Sequence, residues 1–517
     1  MPSGKSQRNL NRELLLKEIQ NQQWDLVVVG GGATGLGVAL DAAQRGLKVA
    51  LIEKNDYASG PTSTSTKLIH GGVRYLEKAV KELNWGQYQL VKEALHERKI
   101  MLKNAPHLSK PIPFIIPVYS WWQKMYYSLG TKIYDWIAGK DEVPNAYFVS
   151  PEFAIKKFPN LNSNHLHGAV VYHDGQFNDA FYATALMRTA LLYGACCLNY
   201  VELNHVDFNQ NLGIHFLNVQ DKRDFQSFEI KTSVLVNCTG VHADSIRKMV
   251  IPELQPRLRP SKGIHMVLPR TWLPTDYALL IPSTEDGRVV FVIPWYYAVI
   301  IGTTDTEIHD AFSVPTVEPE DIEYLIRQVN PYLSKKIEVR DIQATFAGYR
   351  PLVKAHQSKT EALIRNHEIE IFPEKKFVSV LGGKWTTYRK MAEDAVNQVF
   401  KLLNKPFRAC QTKELALIGC TNQIFENKEG LPENIHQHLL YYGSEYPVLV
   451  DYLKKYGAKP LLTNYPFTIG EAIFLKEHGQ IHTFEDYIQR GTRIGIIDFQ
   501  AVEVLRSNQE LLAIFEK

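Results

Sequence analysis

Asp25-Leu-Val-Val-Val-Gly-Gly-Gly-Ala-Thr-Gly-Leu-Gly37 is an apolar run that breaks into Gly30-x-Gly32-x-x-Gly35. A small-residue helix pattern follows at once (Val38, Ala39, Ala42, Ala43). A second apolar run, Val49-Ala-Leu-Ile52, then ends at Glu53. Strand, glycine turn, helix, strand, acid is the order that binds an ADP-containing dinucleotide. Gly30 has the backbone freedom that the tight turn needs. Gly32, followed by Ala33 and Thr34, lets a pyrophosphate approach the main chain. Gly35 lets the helix pack close to the strand. The phosphates then face the positive end of that helix. Glu53 lies 53 − 32 = 21 positions after Gly32, where it can accept hydrogen bonds from ribose hydroxyls, with Lys54 beside it. The motif alone leaves open whether the dinucleotide is FAD or NAD, and what is oxidised.

The chain has 517 residues, a length that predicts about two to four domains. Its 45% hydrophobic and 22% charged residues are those of an ordinary globular protein. A net charge of +3 is too small to argue for a nucleic-acid partner, so any phosphate site must come from local arginines. The cysteines (Cys196, Cys197, Cys238, Cys410, Cys420) form no CxxC pair and no metal-ligand spacing, so neither a disulfide framework nor a metal site is expected. Residues 1–23 are polar and lack the apolar core of a secretory signal. Within them Leu14-Leu-Leu16 and Ile19 predict a short amphipathic helix. No apolar run is long enough to span a bilayer.

Two further strand-to-glycine sites lie far along the chain: Val234-Leu-Val-Asn-Cys-Thr-Gly240, and Val378-Ser-Val-Leu-Gly-Gly-Lys-Trp-Thr-Thr387 running into a helix. They predict one nucleotide-binding domain assembled from separate segments, about 24–95, 167–250 and 345–400. The runs His265–Leu268, Arg288–Ile293 and Ala298–Ile301 are β-branched and bounded by turn signals. They predict a mostly antiparallel second domain, about 96–166 and 251–344. Residues 1–23 are then an N-terminal extension to the region 24–400. Beyond it, 401–517 reads as a helical domain, with helical spacing at Tyr446–Tyr456, Ile469–His478 and Asp498–Phe515. Phe114–Trp136 mixes Tyr119, Trp121, Trp122, Tyr126, Tyr127, Tyr134 and Trp136 with Lys124 and Lys132. Such a mixture suits a bilayer interface, and suits equally a packed substrate domain or a dimer contact.

Ser63-Thr-Ser-Thr-Lys-Leu-Ile-His-Gly-Gly-Val-Arg-Tyr-Leu-Glu77, taken with the glycine motif, resembles the FAD-dependent glycerol-3-phosphate dehydrogenases. The resemblance continues through Ser261–Pro269, Phe291–Trp295, Ile301–Asp305, Ala347–Leu352 and Gly382–Arg389. It extends more loosely to Gly470–Ile473 and Gln489–Arg493 in the helical cap domain. It implies an α/β fold. An FAD-binding, Rossmann-like domain of the glutathione reductase type would join a D-amino-acid-oxidase-like antiparallel substrate domain and a helical C-terminal domain. It also implies oxidation of sn-glycerol 3-phosphate to dihydroxyacetone phosphate. Electrons would pass to membrane quinone, from a homodimer lying peripherally on the inner face of the cytoplasmic membrane.

That substrate is a secondary alcohol with a phosphate dianion. It calls for a clamp, a hydride acceptor and a proton acceptor. Arginine suits the clamp because its planar fork matches phosphate oxygens. Arg350 and Arg365 match the family's phosphate-side arginines, and Arg74 and Tyr75 its other substrate contacts. His265 is the leading candidate for the base or a substrate contact. His70, just before Gly71, is the second candidate, with orientation of the flavin as its other reading. Hydride arrival at flavin N5 leaves negative charge around N1 and the C2 carbonyl. The N–H groups of Gly383, Lys384, Trp385, Thr386 and Thr387, with the Lys384 charge, are placed to stabilise it. The hydroxyl-rich loop Thr62, Ser63, Thr64, Ser65, with Lys67 and Leu68, is expected on the cofactor, as are Thr239 and Gly240. An oxidase of the same family, passing electrons to oxygen, remains the alternative. An amino-acid oxidase would need a carboxylate clamp rather than several arginines.

Overall fold

The computed structural model describes residues 11–72, 85–139, 143–308, 311–354 and 367–516. Arg74, Tyr75 and Arg365 lie outside the described residues.

The three strand-to-glycine segments lie side by side. Strands Phe377–Gly382, Ser227–Asn237, Gln23–Val29, Val49–Ile52 and Cys196–Leu198 are neighbours in that order. All four of these pairings are parallel. Val29 pairs with Asn237 and with Ile52, and Asn237 pairs with Ser379, so the strand ends are level. Being covered on both faces, these strands are continuous apolar runs such as Val27-Val28-Val29 rather than alternating ones. Helices Ala33–Gln44 and Tyr388–Leu403 pack against each other beside the sheet, and Gly37 meets Tyr388 there. The expected N-terminal helix is Arg12–Gln20, whose Leu15 and Ile19 are buried in the same core.

The second sheet has ten strands among the described residues. It contains the three expected β runs as Ser261–Pro269, Val290–Trp295 and Ala298–Gly302. Its pairings are antiparallel except where Ala278–Ile281 runs parallel to Ser109–Val118. The expected boundaries at 167 and 345 cut through this sheet. Gly168–Phe177 pairs with Ser109–Val118, and Ala344–Arg350 pairs with Ser261–Pro269. Leu68–Ile69 is also a strand of this sheet, so the chain enters it directly from the nucleotide-binding segment. The boundary at 95 likewise falls inside one continuous helix, Trp85–Asn104.

Phe114–Trp136 divides between two elements. Phe114 is buried in the strand Ser109–Val118, Tyr119 lies in the link, and the rings from Trp121 onward belong to the helix Trp121–Ala138. Ser120 caps that helix by accepting from the Gln123 N–H.

The C-terminal helices Tyr446–Tyr456 and Ile469–Gly479 fall where expected. The expected helix over 498–515 is broken into Phe499–Arg506 and Gln509–Phe515. Asn508 caps the second piece by accepting from the Leu511 N–H, the competing bond that ends a helix at such residues. The core of this domain extends onto the second sheet: Leu449, Phe467, Ile481 and Leu505 share it with Val267, Ile300 and Phe346.

Candidate active site

The glycine turn has the geometry its sequence demands. Gly30 has φ +110°, and a Cβ there would lie 2.6 Å from the Cys238 carbonyl oxygen. The helix Ala33–Gln44 begins at Gly32 without a side-chain cap and with no acid in its first turn. Its positive end thus carries no anion of its own, as a pyrophosphate site requires. Glu53 accepts from the Gly31 N–H at 2.7 Å and the Asn55 N–H at 2.9 Å. Burial nevertheless raises its carboxyl above the ordinary range. The Lys54 charge lies beside it. Thr34 sits 4.0 Å from the Met391 sulfur, on the helix side of the turn.

The neighbouring strands complete one edge. Thr239 donates to Asn237 Oδ1 at 2.7 Å, and Gly240 turns with φ +57°. Gly382 and Gly383 have φ +68° and +95°. Lys384 then opens the short turn Trp385–Thr387 that leads into the helix Tyr388–Leu403. Thr386 and Thr387 are buried in it. These residues fit FAD: a helix start with no acid in its first turn for its phosphates, a half-buried carboxylate for its ribose, and a second glycine turn at a helix start.

The loop 62–67 joins this edge to the second sheet. Thr62 Oγ1 accepts from the Ala33 N–H at 3.0 Å, and its carbonyl accepts from Trp385 Nε1 at 2.8 Å. Ser65 donates to Asp179 at 2.7 Å. Thr64 lies so close to Gly348 that a Cβ there would be 2.1 Å from its hydroxyl. Thr64 Oγ1 is buried with no hydrogen-bond partner among the described residues, a polar atom left for a ligand group to satisfy. Thr66 Oγ1 lies 3.0 Å from His265 Nε2.

His265 is an interior residue. It is 2% exposed and stacks on Phe346 with ring centroids 4.6 Å apart. Burial drives its imidazole well below the usual range, and the Lys67 and Arg350 charges push the same way, so the ring is neutral. Arg350 ends the strand whose Gly348 meets Thr64, and lies over Gly263, where any Cβ would strike its guanidinium. It donates to Asp305 at 3.0 Å, Thr303 Oγ1 at 3.0 Å and the Thr304 carbonyl at 2.9 Å. His70 follows the short strand Leu68–Ile69, with its ring centroid 6.4 Å from that of Phe291.

Three expected cofactor contacts point elsewhere. Leu68 packs into the apolar core around Phe114. The Gly71 N–H donates to Tyr134 Oη at 2.8 Å. The Lys67 ammonium is fully buried on Asp179 and the Ser63 carbonyl, each at 2.6 Å. Burial pulls it down to about 7, with Asp179 opposing the shift and Arg493 adding to it. Sequence reasoning missed Asp179, the hub of that pair, and Asn237, which orients Thr239.

Residues 25–382 match the profile of the FAD dependent oxidoreductases, and 410–514 that of the C-terminal domain of alpha-glycerophosphate oxidase. Fold and cradle therefore define an FAD-dependent oxidoreductase. The mitochondrial glycerol-3-phosphate dehydrogenase of Rattus norvegicus is 40% identical over 523 residues, covering 95% of this chain and 70% of its own length. That of Homo sapiens is 40% identical over 516 residues, with the same shares covered. The glycerol-3-phosphate dehydrogenase from Bacillus halodurans, solved with FAD, aligns with a TM-score of 0.74 at 27% identity, over 96% of this chain and 91% of its own. The chain belongs to the FAD-dependent glycerol-3-phosphate dehydrogenase family.

Proposed function

We propose that this chain oxidises sn-glycerol 3-phosphate to dihydroxyacetone phosphate and passes the electrons to membrane quinone. The observation that carries this reading is the loop 62–67, which ties the nucleotide cradle at Ala33 and Trp385 to His265 on the substrate sheet. Bound FAD supplies the hydride acceptor, flavin N5. The chain's own groups do the rest. Arg350, with Arg74, Tyr75 and Arg365, binds the phosphate and fixes the carbon skeleton. Neutral His265 takes the hydroxyl proton at Nδ1, which is buried and has no hydrogen-bond partner among the described residues. Its other nitrogen is held by Thr66. His70 orients the ring system. Lys384 and the N–H groups after it stabilise the negative charge that arrives. Adding glycerol 3-phosphate anaerobically to the FAD-loaded protein is expected to bleach the flavin absorbance. An unchanged spectrum defeats this reading. Rapid stoichiometric peroxide on admitting air would favour the oxidase instead.

The helix Trp121–Ala138 supports a membrane seat. Trp121, Lys132, Met125, Trp136, Leu129 and Trp122 fall within an arc of about 100° at helical spacing. The apolar members are exposed, Trp122 by 80% and Trp136 by 75%. Lys124 lies over the Trp121 ring at 4.9 Å. Exposed tryptophans with lysines suit the headgroup region of an anionic leaflet. Among the described residues no helix is long and apolar enough to cross a membrane. On the strength of the exposed tryptophan–lysine face, the reading is peripheral attachment at the inner face of the cytoplasmic membrane, with a homodimer as the expected assembly. Serine at both Trp122 and Trp136 should weaken binding to phosphatidylglycerol vesicles roughly tenfold. Unchanged co-sedimentation would remove this helix from the membrane contact.

A further inference from the structure

A turn of the C-terminal domain reaches into the cofactor site. After Ile469–Gly479 the chain passes through the π-helical turn Tyr487–Gly491, and Arg493 follows in the left-handed conformation with φ +66°. Both arginines of this turn point inward and are buried, Arg490 at 3% exposure and Arg493 at 2%. Arg490 forks onto Asp56 at 2.6 and 2.9 Å, three residues beyond Glu53. Arg493 donates to the Ser63 carbonyl and lies 3.5 Å from Asp179 Oδ1. Lys67 donates to the same Ser63 carbonyl and to the other oxygen of Asp179. Among the described residues Asp179 is the carboxylate on which both cations converge. Two cations share one carboxylate in a desolvated pocket beneath the loop that carries Thr62, Thr64 and Thr66. The pocket relieves this imbalance in part by easing the proton off Lys67, and an anionic neighbour would relieve it further.

We infer that the C-terminal domain completes the flavin site, and that Arg493 is a positioning residue. It fixes the backbone of the loop 62–67 through Ser63 and holds Asp179, on which Ser65 and Lys67 depend. The same cation favours the reduced, more negative cofactor over the oxidised one. This rests on the FAD reading alone and does not depend on the substrate.

The test uses the full-length holoenzyme carrying Arg493→Ala or Arg493→Lys, with Arg506→Ala as control. Arg506 pairs with Glu485 on the surface of the same domain. The readouts are FAD dissociation, flavin midpoint potential and melting temperature. Arg493→Ala is expected to weaken FAD binding roughly tenfold, as for a lost charged hydrogen bond. Its relative affinity for reduced over oxidised flavin should also fall roughly tenfold, a negative shift of about 30 mV for a two-electron couple. Arg493→Lys should recover part of both, and Arg506→Ala should change neither. Parental FAD affinity and potential in Arg493→Ala overturn the inference, whatever happens to the melting temperature. If Arg493→Ala does not fold, Arg493→Lys decides. Parental values then overturn the inference, and weakened FAD binding with a negative potential shift upholds it. These measurements need only FAD, so they stand even if glycerol 3-phosphate fails to reduce the enzyme.

Discussion

Gly35→Ala is expected to give a protein that no longer retains FAD. A Cβ at this position would sit 1.9 Å from the Gly30 carbonyl oxygen, and ordinary contact begins near 3.4 Å. Helix and turn would have to separate by 3.4 − 1.9 = 1.5 Å. No flexible side chain can absorb this, because the obstructing atom is main chain. Overpacking of this kind costs about 1–3 kcal/mol in a typical core, and more where backbone must move. The same displacement pulls the helix end from the phosphates and the Ala33 N–H from Thr62. Purification followed by visible absorbance, with circular dichroism to confirm folding, checks this. A fully flavinylated Gly35→Ala protein would show that the strand–helix approach is looser than described. Gly60 is the matched control, since a Cβ there meets nothing within 4 Å.

The second large effect is expected at Arg350. Arg350→Ala should raise KM for glycerol 3-phosphate while leaving FAD binding intact. Losing a desolvated charge pair costs about 2–5 kcal/mol. Arg350 is 27% exposed, so solvent screens part of its charge and the low end applies. About 2–3 kcal/mol corresponds to roughly thirty- to 150-fold in apparent affinity. Asp305 keeps Arg288 at 3.9 Å, so the fold should tolerate the change better than substrate binding does. Lysine should rescue little, because a point charge cannot replace a planar fork held by Asp305, Thr303 and Thr304. Steady-state kinetics with an artificial electron acceptor gives the answer. An unchanged KM removes Arg350 from the phosphate clamp.

The legible parts of this protein are those whose physics is local. Gly30, Gly35 and Glu53 announce themselves because a tight turn, a close approach and a ribose contact each demand one residue type at a fixed spacing. The runs at 265–268 and 298–301 reveal strands because β-branched residues bounded by turns have few other uses. Asp179 is different. Its partners Lys67 and Arg493 lie 112 and 314 positions away, and nothing near it in sequence signals a buried carboxylate with two cations. Leu68 and Gly71 likewise depend on residues far away in the chain. They belong to a motif that reads as cofactor-facing, yet pairing with Gln176 and Gly175 turns the strand Leu68–Ile69 into the second sheet. His265 reads as a base from its motif. Its burial against Phe346, which holds it neutral, depends on a strand almost eighty residues later.

The parallel edge made by Gln23–Val29, Ser227–Asn237 and Phe377–Gly382 also constrains how the protein can be born. Gln23–Val29 gains its neighbours Val49–Ile52 and Ser227–Asn237 in turn, but the outermost of the three is finished 382 − 23 = 359 residues after the first begins. At translation rates of about 5–20 residues per second, that is a delay of roughly 18–72 s. In its later part the Leu235–Asn237 edge of the second strand still lacks Phe377–Gly382, and an unpaired apolar strand is an invitation to wrong partners. Nascent chains of this protein should therefore depend on chaperones until Phe377–Gly382 is made, and the nucleotide cradle cannot capture its ligand before then.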